Sequence, residues 1–221
     1  MTTSKTIAII GASGSMGTAI SSSLAKTGNY SLLLMSDQTE SLPELKSSLE
    51  QYHSNTQVHI IDCAKEASWE ADIIILATPF QAEKDLAEKI REVATGKIVI
   101  SIANPLNSTF DGFVTTPDTS AAEELQKLLP NSTVIKAFNT TFAADFAHTV
   151  IDGKQVDSFI AGDQETALNT VAELVAGVGF NPIIAGDLKV SRTLENMQLL
   201  MIQLGMKYNY NWLAGWKILH N

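Results

Sequence analysis

Three glycines spaced three residues apart lie near the start of the chain, in the run Gly11-Ala12-Ser13-Gly14-Ser15-Met16-Gly17. The run follows a short apolar stretch, Ile7–Ile10, and opens a stretch of helix-forming residues, Ser15–Thr27. Glycine allows the backbone to turn sharply between strand and helix, and it lets an anion approach the free N–H groups at the positive helix end. The pattern predicts a phosphate-binding turn rather than a tight turn that binds nothing. Its candidate residues are Gly11, Ser13, Gly14, Ser15, Met16 and Gly17.

A carboxylate follows the second apolar run of the chain. Asp37 comes 20 residues after Gly17 and just beyond Ser31–Met35. In a dinucleotide-binding β–α–β unit, an acidic residue at this place accepts hydrogen bonds from the adenosine ribose and repels a 2′-phosphate. Lys46 is the first basic residue after the run, so the residues favour NAD over NADP. Ser36 is a further candidate, since its hydroxyl could still receive a phosphate, and a solvated turn is the alternative for Asp37.

Polar or rigid residues also follow three later apolar runs. They are Thr78, Pro79, Asn104, Pro105 and Asn139. Ligands of parallel sheets bind beyond the carboxyl ends of the strands, so these residues are candidates for the same nucleotide site. Turn formation alone is the alternative explanation for Pro79 and for Asn104-Pro105.

No side chain has the setting of a known catalytic group. The sequence lacks a Tyr-x-x-x-Lys pair and a serine in a nucleophile elbow, and none of its four histidines has a recognisable context. No group of His, Cys, Asp and Glu has the spacing of metal ligands. We therefore expect no metal site and assign no catalytic residue.

Eight short apolar runs alternate with stretches of helical composition. The runs are Ile7–Ile10, Ser31–Met35, Val58–Ile61, Asp72–Ala77, Lys97–Ile102, Thr133–Ala137, Ser158–Ala161 and Pro182–Ala185. The main helical stretches are Ser15–Thr27, Pro43–Tyr52, Gln81–Ala94 and Gln164–Gly177. Strands buried on both faces give such continuous apolar runs, and crossover helices cover them. The alternation predicts an α/β fold with a doubly wound, mostly parallel sheet of the Rossmann-like type. One segment, 103–118, lacks periodicity and is expected to be a long loop.

The pattern changes after Asp187. Leu194, Met197, Met201 and Leu204 fall on one helical stripe, and a polar-aromatic tail follows it. We therefore divide the chain into a dinucleotide-binding domain, residues 1–187, and a small helical C-terminal extension, residues 188–221. Because the helix is apolar on most faces, we expect it to be buried, either on the sheet domain or in a homodimer interface over the cleft.

Composition excludes several classes of protein. Of 221 residues, 45% are hydrophobic and 18% are charged, which suits a globular core rather than a disordered chain. With 15 basic and 24 acidic residues the net charge is −9, so a nucleic-acid partner is not expected. The single cysteine, Cys63, excludes an internal disulfide and favours a reducing compartment. No apolar run is long enough for a signal peptide or a membrane span, so we expect a cytoplasmic protein without a membrane partner.

Taken together, the motifs resemble the coenzyme F420-dependent NADP oxidoreductases, with similar Rossmann-type relatives in the reductase domain of membrane metalloreductases. The likeness covers nearly the whole chain. It is carried by the glycine turn and by Ala77–Phe80, Ser101–Pro105, Val134–Asn139, Ala161–Asp163, Gly179–Pro182, Gly186–Leu188, Ser191-Arg192 and Gly215–Leu219.

The resemblance implies an NAD(P)-dependent oxidoreductase that transfers a hydride between a nicotinamide and a flavin or deazaflavin. Such a transfer depends on stacking and orientation and needs little acid–base catalysis, which agrees with the lack of catalytic side chains. By resemblance, the glycine turn holds the pyrophosphate, while Thr78, Pro79, Asn104, Pro105 and Asn139 surround the nicotinamide and the second ring. The resemblance favours NADP, whereas Asp37 favours NAD.

The chain departs from the family at two places. The family has a Ser-Arg-Arg type of phosphate clamp where this chain has Ser36-Asp37-Gln38, and its deazaflavin enzymes tend to have a histidine where this chain has Asn139. The first departure concerns NADP selectivity and the second concerns the deazaflavin. A reductase of a small carbonyl or imine, and a module that binds NAD(P) and senses redox state without turnover, therefore stay open as alternatives.

Overall fold

The computed structural model describes residues 4–220, and over this range strands and helices alternate along the chain. The strands are β1 (Lys5–Ile10), β2 (Tyr30–Met35), β3 (Gln57–Ile60), β4 (Ile73–Leu76), β5 (Ile98–Ser101), β6 (Thr133–Lys136), β7 (Val150–Ile151), β8 (Lys154–Gln155), β9 (Asp157–Ala161) and β10 (Asn181–Gly186). The α-helices are α1 (Ser15–Thr27), α2 (Leu42–Leu49), α3 (Ala64–Glu70), α4 (Phe80–Ile90), α5 (Ala121–Leu128), α6 (Glu165–Gly177) and α7 (Ser191–Tyr208).

The main sheet has the strand order β10-β9-β6-β5-β4-β1-β2-β3, and β7 pairs with β8 in a separate hairpin. Neighbouring strands of the main sheet run parallel, except for the antiparallel pair of β6 and β9. The predicted mostly parallel, Rossmann-like α/β fold is confirmed. The chain winds outward from β1 to β3 and then returns to β4 on the other side of β1. This reversal opens a crevice between the carboxyl ends of β1 and β4, where open α/β sheets bind ligands.

Both faces of the sheet are covered, which explains the continuous apolar runs. Ile7 and Ile9 of β1 face the core shared with α1, α2 and α6, while Ala8 and Ile10 face the core shared with α3, α4 and α5. All four side chains are at most 2% exposed. Because neither face of these strands meets water, the sequence shows no polar alternation along them.

All eight predicted runs coincide with strands of the main sheet, with ends that differ by one or two residues. Two helices, α3 and α5, had not been predicted. The residues that α3 buries are Ala64, Ala67 and Ser68, and α5 has only eight residues. Small buried residues and short length leave a weak helical period in the sequence.

The predicted C-terminal helix is present as α7, and it differs from the prediction in its extent and in its burial. Helix α7 ends at Tyr208, and the residues that follow it, up to 220, form no further helix; Asn221 lies outside the described residues. Helix α7 is also not buried on most faces, because Leu200 is 46% exposed and Met206 is 49% exposed. Three polar side chains, Ser191, Glu195 and Gln198, are buried instead. Contacts with the rest of the fold determine which face of α7 is buried, above all the contact with a buried cation that is described below.

None of the helices within residues 4–220 combines the length and the apolar character that crossing a bilayer requires.

Candidate functional site

The first glycine of the turn is required by the fold. Gly11 has a φ of +91°, a backbone conformation that residues other than glycine rarely adopt. A Cβ at this position would lie only 2.4 Å from the carbonyl oxygen of Ala77. The N–H of Gly11 donates to the carbonyl of Met35 at 2.8 Å. The turn after β1 is thereby held between the ends of β4 and β2.

The other two glycines differ from each other. A Cβ at Gly17 would lie 2.1 Å from the carbonyl oxygen of Gly11, so glycine lets α1 pack closely on β1. A Cβ at Gly14 would meet only the same oxygen, at 3.4 Å, and the φ of Gly14 is an ordinary −71°. The protein's own packing therefore does not require glycine at position 14. A side chain at position 14 would fill the space in front of the N-terminus of α1.

That helix end is suited to an anion. Gly14 is the N-cap residue, no side chain among the described residues caps the first turn, and the turn contains no acidic residue. The N–H groups at the start of α1 are thus available, and the helix dipole favours negative charge there. Ser15 is exposed at the mouth of the turn, while Met16 is half-buried against the core. The residues present fit a dinucleotide pyrophosphate.

Ser13 and Ser36 join the glycine turn to the end of β2. Their hydroxyl oxygens lie 2.5 Å apart, and Ser36 Oγ also accepts a hydrogen bond from the N–H of Gln38 at 3.2 Å. Asp37 is exposed and lies two residues beyond the end of β2. The carboxylate therefore lies in the turn next to the glycine turn and is accessible to a ligand; its contact with the adenosine ribose stays a prediction.

Thr78 and Pro79 lie on the opposite side of the crevice, at the end of β4. The Thr78 methyl group would be 3.1 Å from a Cβ at Gly11, so the two strand ends are in contact. Thr78 Oγ1 is buried and has no hydrogen-bond partner among the described residues. Pro79 is the N-cap residue of α4, which brings a second helix N-terminus to this edge of the sheet.

Asn104 and Asn139 form a reciprocal amide pair. Asn104 Nδ2 donates to the main-chain oxygen of Asn139 at 3.0 Å, and Asn139 Nδ2 donates to Asn104 Oδ1 at 2.9 Å. The pair links the ends of β5 and β6. Phe138, just before Asn139, has a φ of +59°, which is uncommon for an aromatic residue. Pro105 accepts a hydrogen bond from the N–H of Val114 at 2.8 Å, which closes the loop on itself.

A group of buried charges that the sequence analysis missed lies beneath this pair. Lys136, the last residue of β6, is fully buried, and its Nζ lies 2.6 Å from Glu195 Oε1 and donates to the carbonyl oxygen of Ala103. Glu195 also accepts hydrogen bonds from the N–H of Ala121 at 3.0 and 3.3 Å. The charge of Lys136 is thus balanced by Glu195 inside the protein.

Glu83, in the first turn of α4, is a second buried carboxyl group beside this ion pair. It is 2% exposed, Ser101 Oγ lies 3.4 Å from its Oε1, and its Oε2 has no partner among the described residues. Burial raises the pKa of Glu83 to about 8, although the ammonium of Lys136 opposes the shift and Glu195 adds to it. Glu83 is therefore protonated at neutral pH, and the cluster as a whole is neutral.

The sequence did contain a signal for these charges. Lys136 stands inside the apolar run Thr133–Ala137, so a charge in this strand had to be buried. Glu83 stands three and four residues before Leu86 and Ala87, on the buried stripe of α4. A charged residue at a core position is informative because it needs a partner to be stable there.

The C-terminal tail reaches the loop that follows Asn139. The rings of Phe142 and Trp212 meet edge to face, with centroids 5.6 Å apart. The buried carboxylate of Asp145 accepts hydrogen bonds from the N–H groups of Phe142 at 2.7 Å and of Ala214 at 3.2 Å, and burial raises its pKa to about 6. Trp216 packs against the cluster formed by Phe159, Ala161 and Leu194.

Known proteins resemble this chain in sequence and in fold. Residues 6–105 match the family model described as NADP oxidoreductase, coenzyme F420-dependent. The chain is 29% identical over 214 residues to the F420-dependent NADP reductase of Methanocaldococcus jannaschii, covering 91% of this chain and 93% of that protein. It is 27% identical over 208 residues to the enzyme of the same name from Methanothermobacter marburgensis, covering 91% and 92%.

The chain is similar to the coenzyme F420-dependent NADP oxidoreductases. It is an NAD(P)-dependent oxidoreductase. A crystal structure from Arthrobacter sp. FB24, provisionally described as an F420-dependent NADP reductase, superimposes with a TM-score of 0.83 at 24% identity. The superposition covers 98% of this chain and all of the Arthrobacter chain. At 24% identity, the likeness supports the fold alone. The part of this chain that the family model matches, residues 6–105, includes the glycine turn, Thr78 and Asn104, whereas Asn139 lies beyond it.

A methyl group at Gly14 should reduce dinucleotide binding while leaving the fold intact. We expect Gly14→Ala to change the free energy of unfolding by no more than about 1 kcal/mol, because the added atom meets no close neighbour. The dissociation constant for the dinucleotide should rise by about tenfold or more, which equals about 1.4 kcal/mol. Calorimetric titration and urea unfolding measure the two effects. Gly177→Ala, at the open end of α6, is the matched control and should bind normally; normal binding by Gly14→Ala would contradict the assignment.

The raised pKa of Glu83 predicts a pH-dependent loss of stability. The folded protein keeps this proton up to about pH 8, whereas the unfolded chain releases it near pH 4.5, so stability should fall between these values as pH rises. Glu83→Gln removes this effect and should be more stable than the wild type by about 1–3 kcal/mol at pH 8, with little difference at pH 5. Urea unfolding at both pH values measures it. Glu88→Gln, on an exposed position of the same helix, is the control; an equal effect at both pH values would contradict the assignment.

Proposed function

We propose that this protein transfers a hydride between a nicotinamide dinucleotide and a deazaflavin of the F420 type. The observation that carries the proposal is the middle glycine of the turn. Gly14 is the one residue of the three whose missing side chain serves no packing contact, and it leaves free the space in front of an uncapped helix end.

In this proposal the glycine turn holds the pyrophosphate, and Asp37 and Ser36 hold the adenosine ribose. The N–H groups at the start of α1 donate to the phosphate oxygens, while the close contact between Gly11 and Ala77 fixes where the turn stands. The position of the phosphates then determines how far the rest of the dinucleotide extends along the carboxyl edge of the sheet, toward β4 and β5.

The residues at the ends of β4, β5 and β6 orient the two rings. A bound nicotinamide supplies the carbon that gives or receives the hydride. Thr78, Pro79, Asn104, Pro105 and Asn139 are all uncharged, and the amide pair of Asn104 and Asn139 makes that wall rigid. A neutral, rigid wall suits a reaction whose rate depends on ring alignment and exclusion of water. No proton has to be moved by these side chains.

The deazaflavin is proposed from the relatives, whose names specify F420 and whose alignments span about nine-tenths of this chain. Two features of this chain are compatible with a second ring. Phe142 follows Asn139 closely and is covered by Trp212, and the tail that carries Trp212 is tied down through Asp145. The aromatic pair thus lies at the β6 end of the crevice, where the resemblance places the second ring.

A homodimer, a cytoplasmic location and the division at residue 187 stay predictions. Exposed Leu200 and Met206 on α7 support an interface with a second copy, since these apolar side chains have no cover within one chain. Deleting the tail does not test the interface cleanly. The deletion would remove the N–H groups of Ala214 and Ile218, which donate hydrogen bonds to the buried carboxylates of Asp145 and Asp157. Loss of assembly could then reflect unfolding.

The function is tested by offering acceptors to the protein in the presence of reduced nicotinamide dinucleotide. With coenzyme F420 we expect reduced nicotinamide and oxidised deazaflavin to disappear in equal amounts. Their separate absorbance bands measure the two losses. Parallel reactions contain FMN, FAD, or a small carbonyl or imine in place of F420. Tight binding of the dinucleotide with no oxidation in any reaction would contradict the proposal in favour of a redox sensor. Faster oxidation by a carbonyl or imine would contradict the proposed acceptor.

Asp37 should determine the choice between NAD and NADP. We expect Asp37→Arg to weaken NAD binding and to strengthen NADP binding, because the ribose loses a hydrogen-bond acceptor and the 2′-phosphate gains a cation. Hydrogen bonds to charged groups contribute about 1.5–3 kcal/mol, so the ratio of the two dissociation constants should shift by about tenfold or more. Glu88→Arg makes the same change in charge on an exposed face of α4 and serves as control. If the wild type binds NADP more tightly than NAD, Asp37 does not act on the ribose as proposed.

A further inference from the structure

A fully buried lysine adjoins the proposed ring site and makes contacts that an ordinary core position would not need. Lys136 ends β6 and is inaccessible to solvent, three residues before Asn139. A buried ammonium group is costly unless its hydrogen bonds are satisfied, and apolar residues of similar volume often replace such groups without loss of stability. Lys136 is therefore a candidate for a role other than stability.

Lys136 connects both ends of the long loop between β5 and α5. At the start of the loop, Nζ donates to the carbonyl oxygen of Ala103, the residue just before Asn104. At the end of the loop, Glu195 accepts the N–H of Ala121 and lies 2.6 Å from the same Nζ. One ion pair thus joins β6, both ends of the loop, and helix α7.

The amide pair adds a second attachment only one residue farther along. Asn104 and Asn139 exchange two hydrogen bonds, of 3.0 and 2.9 Å. The contact between Lys136 and the carbonyl of Ala103 also holds the peptide just before Asn104. Two consecutive residues at the start of the loop are thus attached to β6 and to the segment that follows it.

We propose that Lys136 and Glu195 are positioning residues, which hold the Asn104-Pro105 turn at the distance from Asn139 that ring alignment requires. The inference rests on the proposed function, in which this turn contacts the nicotinamide. Neither residue touches the dinucleotide phosphates or the ribose, which belong to the β1 and β2 side of the crevice. Loss of the ion pair should therefore lower the rate of hydride transfer while leaving dinucleotide affinity nearly unchanged.

The test uses the full-length double variant Lys136→Met/Glu195→Gln. The two substitutions remove one positive and one negative charge together, so neither buried charge is left unpaired, and the glutamine oxygen can still accept from the N–H of Ala121. Nothing then donates to the carbonyl of Ala103. We expect the turnover number to fall by about tenfold or more, because small displacements of reacting groups reduce rates steeply. The dissociation constant for the oxidised dinucleotide should stay within about threefold. Amide hydrogen exchange should become faster in residues 103–107.

Two controls separate positioning from general damage. Lys65→Met/Glu92→Gln makes the same changes in an exposed ion pair of 3.3 Å and should leave turnover and exchange unaltered. Leu49→Ala removes a fully buried side chain of α2 and should lower stability without the selective fall in turnover.

Three results would overturn the inference: unchanged turnover in the double variant, equal losses of turnover and affinity, or unchanged exchange in residues 103–107. If the wild type binds dinucleotide but transfers no hydride, the proposed function fails. In that case the exchange measurement still decides whether the ion pair holds the turn.

Discussion

The backbone contact between the ends of β1 and β4 sets the geometry on which the rest of this protein depends. The carbonyl oxygens of Ala77 and Gly11 occupy the places where side chains at Gly11 and Gly17 would stand. These contacts bring α1 against the sheet and turn its N-terminus toward the crevice. Any larger residue at either glycine would separate the helix from the strand, and the anion-binding end of α1 would lose its position over the strand ends.

The same edge of the sheet contains two kinds of polar arrangement with different energetics. The Asn104–Asn139 pair is neutral and exchanges two hydrogen bonds, which make the wall rigid, although Asn139 Oδ1 is buried without a partner among the described residues. The Lys136–Glu195 pair beneath it is charged and buried, so its attraction is largely offset by the loss of hydration. Glu83 avoids a further charge by keeping its proton at neutral pH. The result is a neutral interior next to a site that would receive a negatively charged dinucleotide.

Two buried carboxylates hold the C-terminal segment in place. Asp157 accepts from Asn181 and Lys217 at 2.7 Å and from the N–H of Ile218 at 2.6 Å, and Asp145 accepts from Ala214. These bonds hold a tail without regular structure against the start of β9 and the loop that follows β6. They also bring Trp212 to Phe142, which no helical or strand period could have positioned.

The sequence by itself determined the strands, most helices and the glycine turn, because each depends on neighbours along the chain. Continuous apolar runs mark strands buried on both faces, and a glycine run between strand and helix has few other uses. Only the tertiary structure decided which glycine is free of packing contacts, which face of α7 is buried, and which carboxylates meet Lys136. Glu83, Lys136 and Glu195 are far apart in sequence, and their partnership arises from strand order and helix placement. Long-range pairing of this kind leaves no local period to read, so it becomes visible only when the sheet has brought the strand ends together.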